Sequence, residues 1–356
     1  MTALEGIRVL DLTRLLPGAI VTRWLADFGA EVIKIEQPPL GDYARYTFDG
    51  GESNPVFDFT NRGKKSLVLD LQDPAGKQAF LKLVSTADIL VEGFRPGVMD
   101  RLGLGYAALQ RENPRLIYAA LSGYGAEGKY AQLAGHDINY LALSGVLDLI
   151  GPKGGPPSVA GVQIADLAGG SQPAIMGILL ALQVRHRTGR GQHIDVSMFA
   201  GATTLMAIPQ SVFEATGQPP RRGTELLNGG FACYQVYPAA EGSHVAVGAL
   251  EPRFWQNLCR ELNCEDLIPQ QFAQDQAPVI AALSAKFATA TAEQWFDRLG
   301  AKDCCLTPVR NLRDAIADYP ANPQPVLSET PGRSGARAPQ LNEHAGQLLP
   351  AIESTA

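Results

Sequence analysis

The chain has 356 residues, 46% of them apolar and 19% charged, which is globular composition with length enough for two domains. Its net charge of −6 excludes the broad basic face of a nucleic-acid protein but leaves room for a local basic pocket. The five cysteines include no C-x₂-C pair, so neither a zinc site nor a disulfide framework is expected, and a reducing cytoplasmic compartment is the simplest reading.

Residues 7–13 (IRVLDLT) are short, apolar and β-branched, the pattern of a buried strand. Pro17 then opens a helix that Gly29 ends, and residues 31–36 (EVIKIE) form a second strand. The alternation continues with strands at 66–71, 88–94 and 115–121 and with helices starting at Asp73-Pro74 and Tyr106. Four or five such strands predict an open α/β fold, a Rossmann-like parallel sheet covered on both faces. After Tyr124 the spacing predicts long apolar helices over 138–150 and 171–185, then a strand over 192–198 leading into another helix. Residues 218–230 (QPPRRGTELLNGG) have linker composition. Beyond them a hairpin over 231–237 and 244–248 precedes helices at 252–262, 278–289 and 292–299. The expected organisation is a large α/β domain over 1–217, a linker over 218–230, and a small α+β domain over 231–310. An extended C-terminal arm, 311–356, is expected to return toward the large domain. The N-terminus shows no signal-peptide pattern, and no membrane span is expected.

Walker A and H-E-x-x-H sequences are absent, and no metal site is predicted. His136 follows Gly135 and opens an apolar helical run. Read alone it is a helix-start cap. Read chemically it is a general base that the positive end of the helix keeps neutral. Asp166 precedes Leu-Ala-Gly-Gly-Ser and reads alone as a plain N-cap, yet its apolar neighbours would raise its pKa by desolvation. Gly169 and Gly170 allow a ligand or another backbone to come close. Glu251, ahead of Pro252, reads as a cap acid. Arg95 lies past a strand end, where α/β folds bind ligands, and the basic run Asn61-Arg-Gly-Lys-Lys65 is either a solvated loop or a phosphate clamp.

Several longer stretches carry a resemblance. Leu4-Glu-Gly-Ile-Arg-Val-Leu-Asp-Leu12, Leu25-Ala-Asp-Phe-Gly29, Glu92-Gly-Phe-Arg-Pro-Gly97 and Asn113-Pro-Arg-Leu-Ile-Tyr118 resemble the family III CoA-transferase superfamily. Leu133-Ala-Gly-His-Asp-Ile-Asn-Tyr140 and Val247-Gly-Ala-Leu-Glu-Pro-Arg-Phe254 are similar to its α-methylacyl-CoA racemase branch. The resemblance implies a racemase of lipid metabolism that takes 2-methylacyl-CoA thioesters through an enolate, with no cofactor beyond the CoA carried by the substrate. It also implies an interlocked homodimer with the site between the large domain of one chain and the small domain of the other. It assigns His136 and Asp166 as the catalytic pair, Glu251 as an acid near them, and CoA contacts to Arg95, Leu69, Asp70, Leu71, Gln72, Gly135, Asp137 and Tyr140. Gln37 departs from the racemase pattern, which has an Arg near the CoA phosphates; Lys34 or Arg45 is the expected substitute. Two other readings stand beside this one: a CoA-transferase with Asp166 as nucleophile, and a non-catalytic acyl-CoA binder. The histidine at 136 favours proton transfer over both.

Overall fold

The computed structural model describes residues 2–46, 54–318 and 323–353. It divides into two compact units, residues 1–146 with 160–207 and 322–356, and residues 147–159 with 208–321.

The first unit is built on β1 (Arg8–Leu12), β2 (Glu31–Glu36), β3 (Lys65–Val68), β4 (Ile89–Glu92), β5 (Ile117–Ser122) and β6 (His193–Ser197). All neighbours pair in parallel, in the order β3-β2-β1-β4-β5-β6. The alternation in the sequence predicted four or five of these strands. The sixth, β6, joins the same sheet beside β5, although long helical segments separate the two in sequence. The strands are apolar runs because both sheet faces are covered. On one side α1 (Pro17–Asp27) packs on β1, β2 and β4, and α7 (Gln172–Thr188) packs beside it on β5 and β6. On the other side α3 (Pro74–Thr86) and α5 (Tyr106–Glu112) bury Phe80, Leu83, Val84 and Leu109 against Leu10, Ile33, Leu67 and Leu90. The helices between these are α2 (Pro55–Asn61), α4 (Val98–Arg101) and α6 (Asp137–Ser144), with α8 (Met198–Thr204) following β6.

The C-terminal tail is not wholly extended. Residues 337–344 run along the edge strand, where Asn342 Oδ1 accepts the Val68 N–H at 2.8 Å and the His344 N–H donates to the Ser66 carbonyl at 3.1 Å. A further helix, α14 (Ala345–Glu353), then buries Leu348 in the same core. Its cue was hidden by the Pro, Gly and Ser residues that precede it. The continuous helical stretch Ala165–Thr188 is long and apolar enough to match a membrane span by length and composition, and its α7 portion packs on β5 and β6.

The second unit holds α9 (Ala207–Thr216) from Ile208 onward and an antiparallel sheet of β7 (Tyr234–Pro238), β8 (His244–Gly248) and β9 (Leu306–Pro308). Its helices α10 (Pro252–Glu261), α11 (Ala277–Phe287) and α12 (Ala292–Leu299) cover one sheet face, and α13 (Leu312–Asp318) follows β9. Trp255, Tyr237, Phe287 and Trp295 fill this core. Their polar tips are satisfied, since the Trp295 indole donates to Phe287 O at 2.9 Å and the Tyr237 hydroxyl to Ala232 O at 2.7 Å. All five cysteines belong to this unit and are free thiols.

Candidate active site

The strand order reverses between β1 and β4, and a cleft of about 640 Å³ opens there along the C-terminal ends of the first four strands. Such a switch point is where open α/β sheets bind ligands, because the loops on either side leave in opposite directions. Thr13 and Arg14 follow β1, Gln37 and Tyr43 follow β2, Leu69–Gln72 follow β3, and Gly93–Arg95 follow β4. Five of the residues expected to contact CoA therefore share one cleft: Leu69, Asp70, Leu71, Gln72 and Arg95. The other three, Gly135, Asp137 and Tyr140, sit at the start of α6, whereas Gln132 just ahead of them lines the cleft.

The expected substitutes for an arginine at position 37 are both paired with acids. Lys34 is fully buried, paired with Asp42 at 2.7 Å and donating to Thr13 O at 2.9 Å. Arg45 is bound to both carboxylate oxygens of Glu36. The basic run at 61–65 is no phosphate clamp either. Lys64 is buried and donates to Asp11 Oδ2 at 3.0 Å, Asn61 Oδ1 at 2.8 Å and Ala19 O at 3.0 Å. Lys65 pairs with Glu31 at 2.6 Å, and Arg62 donates to Ser334 Oγ at 2.8 Å. Lys34, held by Asp42, lines the cleft with Arg95, and so do Arg14 and Arg101, neither of which the motifs pointed to.

His136 is exposed and caps α6 in extended backbone conformation. Its N–H is accepted by Asn139 Oδ1 at 3.0 Å, and its carbonyl accepts the Asn139 N–H at 2.8 Å. Tyr140 closes the turn from the other side by donating its hydroxyl to Gly135 O at 2.6 Å. Gly135 has no room for a side chain there, because a Cβ would meet Tyr124 Oη and Tyr140 Cε1 at 2.8 Å each. The turn presenting His136 is thus fixed by Asn139 and Tyr140 on its own helix and by Tyr124 beyond it.

Asp166 is not the plain N-cap that its sequence context suggests. It lies inside a π-helical turn, Ala165–Ser171, that runs directly into α7. A π turn carries an extra residue per turn and recurs at functional sites. Close packing on α8 accompanies it: a Cβ on Gly169 would lie 2.7 Å from both Met198 O and Ala202 N. The close approach that Gly169 permits is to another backbone. The Asp166 N–H donates to Asp137 Oδ1 at 2.9 Å, so the acid of the first helix start is tied to that of the second. Burial pushes the Asp166 carboxyl up to about 7, and the neighbouring charge of Asp137 adds to the rise. Asp166 and Asp137 in turn help hold the Tyr140 phenol up at about 12, burial being the larger cause. The arrangement joins the helix start that His136 caps to the turn carrying Asp166 through Asp137, with Arg95 close enough to Tyr140 to act on it electrostatically.

Glu251 caps α10 ahead of Pro252 as expected, is exposed, and makes no side-chain capping hydrogen bond. It belongs to the second unit.

The sequence profile of CoA-transferase family III matches residues 4–343. The human α-methylacyl-CoA racemase is 39% identical, with 98% of this chain and 92% of that protein aligned. A succinyl-CoA:mesaconate CoA-transferase of Haloarcula hispanica is 33% identical over 98% of this chain and 96% of its own length. A CAIB/BAIF family protein from Brucella suis superposes with a TM-score of 0.85 at 29% identity, covering 99% of each chain. The two enzymes carry different activities on a shared scaffold, and the chain belongs to the CoA-transferase family III.

Proposed function

We propose that the protein is a racemase interconverting (2R)- and (2S)-2-methylacyl-CoA thioesters by moving the α-proton through an enolate. The observation that carries this reading is Asp166, an acid pushed up to about 7 by burial and linked through Asp137 to the start of the helix that His136 caps. The α-hydrogen of a thioester is a weak acid, so the barrier is formation of the enolate. Lowering it takes a base at the α-carbon and hydrogen-bond donors at the thioester oxygen.

An acid-base group titrating near pH 7 suits both halves of such a reaction, because it accepts and returns a proton at comparable cost. Inversion needs one such group on each face of the carbon, with roles exchanged for the opposite enantiomer. His136 serves one face and Asp166 the other. The first turn of α6 leaves the N–H groups of Asp137 and Ile138 without intrahelical acceptors, and these stabilise the enolate oxygen. The CoA nucleotide lies in the cleft at the switch point, against Arg95 and the loop Leu69–Gln72. The resemblance adds Glu251 as a third acid.

A second reading is favoured by the similarity to the Haloarcula transferase: attack of the Asp166 carboxylate on the thioester carbonyl, with a mixed anhydride formed and the CoA thiolate released. Incubation of one enantiomer of a 2-methylacyl-CoA in D₂O separates the two. Racemisation with α-deuterium uptake is the expected result. A hydroxylamine-trappable acyl-enzyme, with transfer to an added carboxylate and no α-exchange, would establish transfer instead. Binding without either reaction would leave an acyl-CoA binder.

A further inference from the structure

Arg14 lies two residues past the end of β1, and no family motif quoted above includes it. Its guanidinium carbon is 5.2 Å from the ring centroid of Tyr43 and 5.2 Å from that of Phe94. These rings come from the loops after β2 and β4, so the guanidinium spans the switch point. Nη2 donates to Gln37 Oε1 at 2.8 Å and Nη1 to the Tyr43 hydroxyl at 3.3 Å. Both acceptors are neutral, and the acids of the same loops are already engaged. Glu36 accepts from Arg45, Ser66 Oγ and the Asp42 N–H, and Asp42 holds Lys34. Among the described residues Arg14 therefore carries a full charge with no carboxylate partner, held in place by two rings and an amide. A guanidinium stacked on its faces keeps N–H groups at its edge for an oxyanion.

The strand order and the contact with Gln37 say which oxyanion. In sheets of this strand order the group at the end of the second strand reads the ribose. An acid there accepts a free hydroxyl, whereas an arginine accepts a ribose phosphate. Here the strand-end acid, Glu36, is buried in its own ion pair, and Gln37 holds a cation in its place.

We propose that Arg14, positioned by Gln37, Tyr43 and Phe94, binds the phosphate monoester on the ligand's ribose and thereby selects CoA thioesters over dephospho-CoA thioesters. This rests on reading the cleft as the CoA site and adds the residue that decides which nucleotide it accepts. The charge that the racemase resemblance implies at position 37 is delivered from position 14.

The test is calorimetric titration of CoA and of dephospho-CoA into wild-type protein, Arg14→Gln and Gln37→Glu. Wild type is expected to prefer CoA by about tenfold or more, the size of one charge-assisted contact. Arg14→Gln should bring the two ligands within about twofold of each other while dephospho-CoA binds as before. Gln37→Glu, which gives Arg14 an acid to pair with, should also reduce the preference and serves if Arg14→Gln does not fold. Equal weakening of both ligands in Arg14→Gln, an undiminished preference in a folded variant, or no preference in wild type would overturn the assignment. Failure of wild type to bind CoA at all would overturn the reading of the cleft, and the assignment with it.

Discussion

Asp166 shows how one carboxyl can be costly to the fold and useful to the chemistry. Its ordinary value is 3.8; burial, and then the charge of Asp137, carry it up to about 7. The folded state therefore binds this proton more tightly than the unfolded chain does. Its contribution to stability is fully present below about pH 4 and is lost as pH rises toward about 7. Replacing Asp166 by Asn removes the ionisation while keeping the shape. Thermal melts across pH should show the variant gaining on wild type between pH 4 and 7 and exceeding it above pH 7, by about 1–3 kcal/mol. Parallel pH profiles for the two proteins would contradict the raised pKa. His136 and Asp166 each look like helix caps when taken singly. His136 does cap α6, but the π turn around Asp166 cannot be read from the sequence, because a π turn shares the composition of an α turn. The role of Asp137 as the link between them was equally hidden, since hydrogen bonds across 29 residues leave no periodic trace.

At the scale of elements, the floor of the cleft is held by charges that never reach solvent. Asp11 on β1 accepts the Thr13 hydroxyl at 2.6 Å, the Thr22 hydroxyl at 2.7 Å and the Lys64 ammonium at 3.0 Å. Burial is the largest single influence and would raise its pKa, but the Lys64 and Lys34 charges together with the Thr13 and Thr22 hydroxyls hold the carboxyl below the usual carboxylate range. This cluster ties the turn from β1 into α1 to the end of α2, and so positions Thr13 and Arg14 at the cleft. Lys64→Met leaves Asp11 buried without its closest cation and should destabilise the protein by about 3–5 kcal/mol in urea denaturation. A change under about 1 kcal/mol would mean that the pair does not hold the turn. The run Asn61–Lys65 reads as a surface loop because its composition is polar. Only the long-range pairing of Lys64 with Asp11, from a strand 53 residues earlier, turns it inward. Arg14 was missed for the converse reason: a single arginine after a strand carries no motif, and its two stacking rings come from other loops.

For the molecule as a whole, the α/β alternation was legible because each buried strand is a short β-branched run between helix caps. The large apolar stretches after Tyr124 were legible as helices but not in their true lengths. The run expected over 138–150 ends as α-helix at Ser144, where Gly145 adopts a left-handed conformation. Strand β9, three residues long, was below what a pattern can resolve, yet it completes the small sheet by pairing with β8. The family could be read from the sequence because its motifs are long. The reaction is harder to read, since Asp166 suits both proton transfer and acyl transfer, and His136 alone separates them. The most direct measurement is therefore α-deuterium exchange from each separate enantiomer of a 2-methylacyl-CoA by His136→Ala and by Asp166→Asn. Two-face proton transfer predicts that each variant loses racemisation, and that each loses exchange chiefly from the enantiomer whose proton the missing group removes. Racemisation at the wild-type rate by folded His136→Ala protein would contradict it.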